Sequence, residues 1–316
     1  MKKVIFVLIT LALCISLCAC GDSEQTTETA CAHSYNASTK EATCTDKGSI
    51  KYTCAECGDS YNEVIASKGH TYSDGECSVC NALKPSDGLE YTKSGSTYSV
   101  TGIGTCTDTN IVIADYHDGL PVTSISLHAF SDASKVESVF VPDTVTDIGM
   151  FAFSGCSSLT EIHLSRNLTE IDVGAFLECK SLVSVEFPEG ITVLPNNIFE
   201  RCENLSRVTL PGSITSIGKA SFMLCGSLTE IVIPENVVSV GDSAFYGCTG
   251  LSRIVIPSSV QTIGEGIFRL DRTLTHIYCE AESEPYGWHI DWKAVCNAAV
   301  HWKNDWEYID GVPTVK

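Results

Sequence analysis

The sequence predicts a repeat solenoid built on a parallel β-sheet and preceded by a small cysteine-rich module. Three observations support this prediction. A phenylalanine recurs every 23 residues from Phe130 to Phe268, strand-like runs of alternating apolar residues keep the same period, and cysteines and histidines crowd the segment from Cys31 to Cys80. A period this strict is typical of stacked supersecondary units. The 316-residue chain is 44% hydrophobic and can build a substantial core.

Residues 1–19 are predicted to be a signal peptide. Lys2 and Lys3 give a basic start, and residues 4–13 are an almost unbroken apolar stretch, too short for a membrane-spanning helix. Residues 17–20, Leu-Cys-Ala-Cys, resemble the lipobox of bacterial lipoproteins, where cleavage precedes a cysteine that receives a diacylglycerol. The resemblance implies lipidation of Cys20, with residues 20–30 as a polar tether on the extracellular face of a bacterial membrane. The alternative is an ordinary signal peptide that happens to contain cysteines.

Residues 31–82 are predicted to form a zinc-ribbon-like module, with a linker at residues 83–87. The module holds six cysteines and two histidines, which are Cys31, His33, Cys44, Cys54, Cys57, His70, Cys77 and Cys80. Two Cys-x2-Cys pairs occur among them, and two thiolates on a tight turn occupy adjacent corners of a tetrahedron around zinc. The phrases EATCTDKG, YTCAECG and ASKGHTY also resemble a short zinc-ribbon-like module of surface proteins from anaerobic bacteria.

Internal symmetry divides the eight candidate ligands into two interleaved sets. Each set has a cysteine, then a histidine, then a Cys-x2-Cys pair: Cys31, His33, Cys54 and Cys57 in one, and Cys44, His70, Cys77 and Cys80 in the other. We expect two structural zinc ions, because four protein ligands per ion leave no position open for a substrate. The alternative is three disulfides, which suit an oxidising extracellular setting but leave both histidines unexplained. A module of about fifty residues needs cross-links, either zinc ions or disulfides, to be stable.

The repeats are predicted at residues 129–279. Besides the phenylalanines Phe130, Phe153, Phe176, Phe199, Phe222, Phe245 and Phe268, one apolar column runs Val136, Leu159, Leu182, Leu205, Leu228, Leu251 and Leu274, and the next runs Val139, Ile162, Val185, Val208, Ile231, Ile254 and Ile277. The resulting L-x-x-I-x-I pattern alternates as a strand does, with its apolar members inward. Proline ends most of these strands, since it cannot donate to a ladder.

The second half of each unit contributes another buried column, predicted to lead into a short helical or irregular turn. Its members are Ile148, Ile171, Leu194, Ile217, Val240 and Ile263. Glycine usually follows, as at Gly149, Gly218, Gly241 and Gly264, and we expect the chain to turn there because glycine tolerates unusual backbone angles. One unit cannot bury its own apolar face, so stability comes from stacking neighbours.

The unit FSGCSSLTEIHLSRNLTEIDVGA closely resembles the BspA-type leucine-rich repeats of bacterial surface proteins. The resemblance covers roughly residues 88–279 and implies a leucine-rich-repeat solenoid with a parallel sheet. Departures are local: Ser165 replaces the proline, Asp172 and Pro195 replace the glycine, and the last unit has Asp271 in place of its cysteine. The segment at residues 88–128 resembles the N-terminal cap of this family, and residues 280–316 are predicted to be the C-terminal cap.

Two further groups of residues are assigned structural roles. Each repeat phenylalanine is followed three residues later by a cysteine, at Cys156, Cys179, Cys202, Cys225 and Cys248. Equivalent residues of stacked coils point the same way, a poor match to disulfide torsions, so buried free thiols are predicted. The tryptophans of the C-terminal cap, Trp288, Trp292, Trp302 and Trp306, favour a core cap over a sugar-binding platform, and a disulfide between Cys279 and Cys296 is left open.

The net charge and the motifs of the chain limit the classes of partner and of activity that are expected. The net charge is −19, from 20 basic and 39 acidic residues, and removing Lys2 and Lys3 with the signal takes it to −21. Nucleic acid is therefore excluded as a partner, and membrane contact is expected only through the lipid anchor. No G-x-S-x-G, H-E-x-x-H or G-x4-G-K-[ST] motif is present, so no enzyme is predicted.

A protein or glycan ligand is predicted to bind the outward side chains of the strands. These candidates are Glu161, His163, Glu186, Arg207, Glu230, Arg253, His276 and Tyr278. The parallel sheet of a solenoid offers an extended, rigid binding face, which favours a surface protein for adhesion or recognition. The alternative is an envelope spacer with no dedicated ligand, and the sequence does not separate the two.

Overall fold

The computed structural model describes residues 33–44, 48–65, 71–73, 75–80 and 82–316. These residues form two compact units that divide between Thr71 and Tyr72. All of their regular structure is β-strand, and within them no helix has the length and apolar character needed to cross a membrane. Residues 1–32, which include the predicted signal peptide and Cys20, lie outside the described part.

The first unit is a three-stranded antiparallel sheet. Its strands are β1 (Tyr35–Lys40), β2 (Gly48–Cys54) and β3 (Ser60–Ile65), with β2 in the centre. Few of the side chains described in this unit are buried; the hydrophobic ones among them are Ala42, Cys44 and Cys54. A sheet with so small a core cannot be held together by burial alone.

The second unit opens with a short hairpin and the N-terminal cap. Its strands are β4 (Tyr72–Ser73), β5 (Glu76–Cys77), β6 (Glu90–Ser94), β7 (Thr97–Gly102), β8 (Asn110–Val112), β9 (Tyr116–His117) and β10 (Leu120–Ile125). The edge strand β8 is covered by Ser86, whose backbone N–H donates to the Val112 carbonyl while its hydroxyl accepts the Val112 N–H. Covering an edge in this way blocks its pairing with another chain.

Two parallel ladders then run along the stacked coils. The first continues from β8 through β11 (Ser138–Phe140), β13 (Glu161–His163), β15 (Ser184–Glu186) and β17 (Arg207–Thr209), and resumes with β20 (Arg253–Ile256), β22 (His276–Cys279) and β23 (Ala299–His301). The second runs from β10 through β12 (Asp147–Ile148) and β14 (Glu170–Ile171), and resumes with β16 (Val193–Leu194), β18 (Ser216–Ile217), β19 (Ser239–Val240) and β21 (Thr262–Ile263). This architecture confirms the predicted solenoid, parallel sheet and 23-residue period; the second ladder was not predicted.

The repeat phenylalanines form the centre of the core. Phe130 is 1% exposed and the other six are fully buried, with neighbouring ring centroids 5.2 to 5.9 Å apart. The column cysteines lie beside them as free thiols, as the sequence predicts. Each thiol donates to the carbonyl of a phenylalanine in the preceding coil at 3.0 to 3.1 Å. Burial raises the pKa of these thiols, that of Cys156 to about 12, which leaves them unreactive.

The glycines that follow the second buried column of each repeat, here called the glycine column, have a different structural role from the one expected. None of Gly149, Gly218, Gly241 and Gly264 has a positive φ, so the chain does not use their conformational freedom. A Cβ at these positions would instead lie 2.4 to 2.7 Å from a backbone nitrogen of the preceding coil. The expectation of a glycine turn was wrong: glycine is there because two backbones approach too closely for a side chain.

The left-handed positions of the coil lie further along the turn. They form two columns with the 23-residue period: His128, Phe151, Gly174, Asn197, Ala220, Ser243 and Gly266, and then Asp132, Gly155, Glu178, Arg201, Leu224, Gly247 and Leu270. Most are not glycine, although a left-handed conformation is unfavourable for other residues. The stacking of neighbouring coils therefore imposes the turn geometry against local preference.

The second ladder is interrupted between β14 and β16, and Pro195 accounts for the gap. In the neighbouring coils the residue at this position donates its N–H to the coil before, as Asp172 does to Ile148 and Gly218 does to Leu194. Proline has no N–H to donate, so the equivalent bond to Ile171 cannot form. The first ladder is interrupted at residues 229–233, and no residue at which this repeat differs from the others explains that gap.

The C-terminal cap closes the solenoid with buried tryptophans and a hairpin, β24 (Trp306–Ile309) and β25 (Val312–Val315). Trp288, Trp292 and Trp306 are buried, and their indole N–H groups donate to the Val260 carbonyl, a Glu284 carboxylate oxygen and the Cys279 carbonyl respectively. A buried indole with an internal partner is a core residue, so these tryptophans do not form a sugar-binding platform. Cys279 and Cys296 are both free thiols.

Candidate functional site

A candidate metal centre lies at one end of the first unit. His33 precedes β1, Cys54 ends β2, and Cys57 lies in the turn that leads to β3. The turn closes with a 3.0 Å hydrogen bond from the Gly58 N–H to the Cys54 carbonyl, and Gly58 has φ +77°. The antiparallel register sets Tyr35 opposite Cys54, which brings His33 to the same end.

The ligand atoms of His33, Cys54 and Cys57 all lie within 4.8 Å of one another. His33 Nδ1 and Cys57 Sγ are 3.4 Å apart. In a tetrahedral zinc site with Zn–S of about 2.3 Å and Zn–N of about 2.1 Å, neighbouring ligand atoms are separated by about 3.6 Å. The three side chains therefore fit one zinc ion. Their fourth predicted partner, Cys31, lies outside the described residues.

The electrostatics of this cluster favour a thiolate. The backbone N–H groups of Cys57 and Glu56 donate to the Cys54 sulfur and, with His33, lower the pKa of this thiol to about 6 against the opposing effect of burial. A thiolate is the form of cysteine that binds zinc. Beside the cluster, the Tyr35 hydroxyl donates to Asp59 at 3.0 Å, a bond that raises the pKa of Tyr35 to about 12.

The second predicted ligand set stays a sequence prediction. Cys44 is buried in the first unit, while Cys77, buried, and Cys80, exposed, belong to the second. His70 lies outside the described residues.

The other candidate region consists of the outward side chains of the first ladder, which we call the exposed face. Of the predicted ligand-binding residues, Glu161, His163, Glu186, Arg207, Glu230 and Arg253 are exposed there. His276 is half-buried and Tyr278 is only 4% exposed. The expected exposure of Tyr278 was wrong, because β23 extends the sheet beyond β22 and the Trp306 ring packs against Tyr278 at 5.3 Å.

The exposed face has an open part and a covered part. From β11 to β17 it is open. It carries Phe140 and His163, whose ring centroids are 6.2 Å apart, and His163 Nε2 lies 3.2 Å from Glu161 Oε1. Shallow grooves run between neighbouring coils, one lined by His163, Arg166 and Glu186 and another by Arg207, Thr209 and Glu230.

Further along, the C-terminal hairpin covers Tyr278 and borders the exposed face. Tyr308, Gly311 and Pro313 of the hairpin form a cleft with Glu230 and Arg253. This arrangement could not be predicted from the sequence, since the hairpin comes about fifty residues or more after Glu230 and Arg253 and carries no motif that indicates where it packs.

Comparison with known proteins agrees with the repeat architecture. A family model described as "BspA type Leucine rich repeat region" matches six copies, at residues 123–228 and 215–287. These ranges together span residues 123–287, which is 165 of 316 residues. The chain therefore belongs to the BspA-type leucine-rich repeat family. No curated protein sequence matches it.

Solved structures of bacterial leucine-rich repeat proteins are similar to the chain. A leucine-rich repeat protein of T. pallidum is 30% identical, with a TM-score of 0.55, over 60% of this chain and 90% of that one. A leucine-rich cell surface protein from Faecalibacterium prausnitzii A2-165 is 25% identical, with a TM-score of 0.44, over 62% of this chain and 70% of that one.

Proposed function

We propose that the protein is a bacterial cell-surface lipoprotein that binds a protein or glycan through the open part of the exposed face and catalyses no reaction. The observation that supports this is a contrast within each coil. The inward positions repeat almost unchanged, whereas the outward positions of β11, β13, β15 and β17 change from coil to coil: Ser138 and Phe140, Glu161 and His163, Ser184 and Glu186, Arg207 and Thr209. Variable side chains on a constant, rigid frame suit recognition.

The test is binding of the mature chain to a panel of purified extracellular-matrix proteins and glycans. For any binder, the double substitution Glu186→Ala with Arg207→Ala should weaken affinity at least about tenfold, since residues at the centre of an interface dominate its energy. The matched control is Arg201→Ala, an exposed arginine of the same coil that lies in the turn and not on the exposed face. Equal affinities of all three proteins, or no binder in the panel, would favour the envelope spacer.

We further propose that residues 1–19 are cleaved and that Cys20 is lipidated, which anchors the chain to the membrane. The basic start, the short apolar stretch and the Leu-Cys-Ala-Cys sequence support this. Labelled fatty acid should enter the wild-type protein, and Cys20→Ala should abolish labelling and release protein into the medium. Labelling that survives in Cys20→Ala, with Cys18→Ala as the matched control, would refute the anchor.

The N-terminal module is proposed to hold two structural zinc ions, on Cys31, His33, Cys54 and Cys57 and on Cys44, His70, Cys77 and Cys80. The convergence of His33, Cys54 and Cys57 supports the first ion, and the symmetry of the sequence supports the second. Metal analysis of the purified chain should give two zinc ions, and Cys57→Ser should reduce the count to one. An unchanged count in Cys57→Ser, or zinc-free folded protein, would overturn the assignment.

A further inference from the structure

Two histidines meet where the solenoid ends. His276 on β22 and His301 on β23 have their Nδ1 and Nε2 atoms 2.9 Å apart, and both side chains are half-buried. The ring centroids are 5.2 Å apart, which is about the N–N distance plus the two ring radii, so the nitrogens point directly at each other. This is the geometry of an N–H···N hydrogen bond, and it requires one of the two nitrogens to be unprotonated.

A continuous series of aromatic contacts joins this histidine pair to the C-terminal hairpin. The Tyr278 ring stacks on His301 at 5.2 Å and on His276 at 5.8 Å. The ring centroid of Trp306, at the start of β24, lies 5.3 Å from that of Tyr278. The ring centroid of Tyr308 lies 5.1 Å from that of Trp306. Tyr308 is one of the hairpin residues that line the cleft beside the exposed face. The hairpin therefore packs against a stack of rings that begins at the histidines.

The charges around the pair oppose a second proton on balance. Burial and the neighbouring His276 lower the pKa of His301, while Asp305, in the turn before β24, acts in the opposite direction. Arg253 on β20 lies opposite His276 in the strand register and is the charged residue that this strand places there. Tyr278 contributes an aromatic ring and Ala299, opposite His276 on β23, contributes no charge. Because His301 binds a proton less readily in the folded cap than in the unfolded chain, its contribution to the stability of the cap is lost as pH decreases below about 6.5.

We propose that His276 and His301 form a proton switch that releases the C-terminal hairpin and opens the cleft that the hairpin forms beside Glu230 and Arg253. At neutral pH the shared proton joins β22 to β23 and supports the Tyr278, Trp306 and Tyr308 stack. In acid both imidazoles carry a proton on the facing nitrogens, the hydrogen bond is lost and two positive charges oppose each other. The switch acts on the fold of the cap and needs no ligand, so it stands apart from the proposed binding function.

Hydrogen exchange of the full mature chain at pH 7.5 and 5.5, corrected for the intrinsic effect of pH, tests the switch. Protection of peptides within residues 299–316 should fall at least tenfold at pH 5.5, while peptides from the coils at residues 150–225 should keep theirs and report an intact solenoid. Hydroxyl-radical footprinting in the same samples should show increased oxidation of Tyr278. Asp271, the buried acid of this coil, gains a proton over the same range and acts in the opposite sense, so it cannot imitate the result.

His301→Gln places an amide nitrogen near the position of Nε2 and removes the titration. In this variant the protection of the hairpin should be the same at both pH values. The variant His276→Asn, whose side-chain amide lies near the position of Nδ1, should give the same result as His301→Gln. The matched control is His289→Gln, an exposed histidine of the same cap, which should respond to pH as the wild type does. A hairpin equally protected at both pH values in the wild type, or an unchanged loss of protection in His301→Gln, would overturn the switch.

Discussion

The two units of this chain are stabilised in opposite ways. In the described part of the first unit, three strands leave most of their side chains exposed, and the few buried residues include two candidate metal ligands, Cys44 and Cys54. In the second unit an unbroken hydrophobic core extends from Leu89 to Ala298. Under the zinc assignment proposed above, one unit depends on a few cross-links at defined points, whereas the other distributes its stability along the whole stack.

Chelation should produce the largest difference between the stabilities of the two units. Removal of zinc with a strong chelator should unfold residues 33–65 completely, because binding of structural zinc is worth about 10–16 kcal/mol in comparable small modules. The solenoid, whose described residues include no such cluster, should keep its thermal midpoint. Hydrogen exchange resolved by peptide measures both at once. A module that stays protected after chelation and unfolds on reduction would show that disulfides hold it instead.

Within the solenoid, Phe199→Ala should cost the most of the single substitutions considered. The ring is fully buried between Phe176 and Phe222, so its loss leaves a cavity that weakens two coil interfaces, at about 3–5 kcal/mol. Urea unfolding of the full chain gives the value. Val193→Ala in the same coil removes a side chain that is 49% exposed and should change stability by less than about 1 kcal/mol. Similar losses for both would contradict a stack held by its core.

Gly241→Ala tests the close approach of neighbouring coils. A Cβ at Gly241 would lie 2.5 Å from the Lys219 nitrogen, so the coils must separate, and we expect a loss of about 1–3 kcal/mol in thermal or urea unfolding. Gly212→Ala is the control, because nothing lies within 4 Å of its added Cβ. If the two substitutions had equal effects, the explanation for the glycine column would fail.

Asp271→Cys should stabilise the last coil by about 1–2 kcal/mol at pH 8. Asp271 occupies the cysteine column, is buried, and its carboxylate oxygens have no hydrogen-bond partner among the described residues. The nearby Gly247 and Cys248 N–H groups donate to the Arg269 and Phe245 carbonyls. Burial raises the pKa of Asp271 to about 8, so wild-type stability falls as pH rises between about 4 and 8.

The gain from Asp271→Cys should therefore shrink as pH is lowered toward 5, where Asp271 is protonated. Thermal unfolding at pH 5 and pH 8 measures the difference. Asp271→Asn is the control that removes the charge without restoring a thiol, and it should lose the pH dependence but gain less. A pH-independent gain would mean that the carboxyl is not the source of the effect.

The inward columns could be predicted from sequence because the same residue types recur at a fixed interval. The convergence of His33, Cys54 and Cys57 was also foreseeable, since ligand order and spacing limit which groups can meet. The left-handed positions were not, because stacking imposes them on residues as different as Phe151, Asn197 and Leu224. Nor was the burial of Tyr278, which strand alternation places outward and a distant hairpin covers.

Sequence reasoning also missed the second ladder. Inward residues here are three apart, as Val145 and Ile148 are, with two outward residues between them, and this spacing does not show the alternation that marks a strand. Pairing with the next coil settles the conformation, and pairing is a property of the stack and not of the single repeat. The steric role of Gly241 and its equivalents was hidden for the same reason.

The interruptions of the two ladders are staggered, and this bears on how the solenoid resists being pulled apart. Where Pro195 breaks the second ladder, the first still joins β13 to β15, and where the first is broken around residues 229–233, the second still joins β18, β19 and β21. Hydrogen bonds between successive turns, such as Phe199 N–H to the Ser221 carbonyl, continue past both gaps. At each gap in one ladder, hydrogen bonds of the other ladder and of the turns still join the same two coils. A coil under a pulling force therefore stays bonded to its neighbours and shares the force with them instead of detaching.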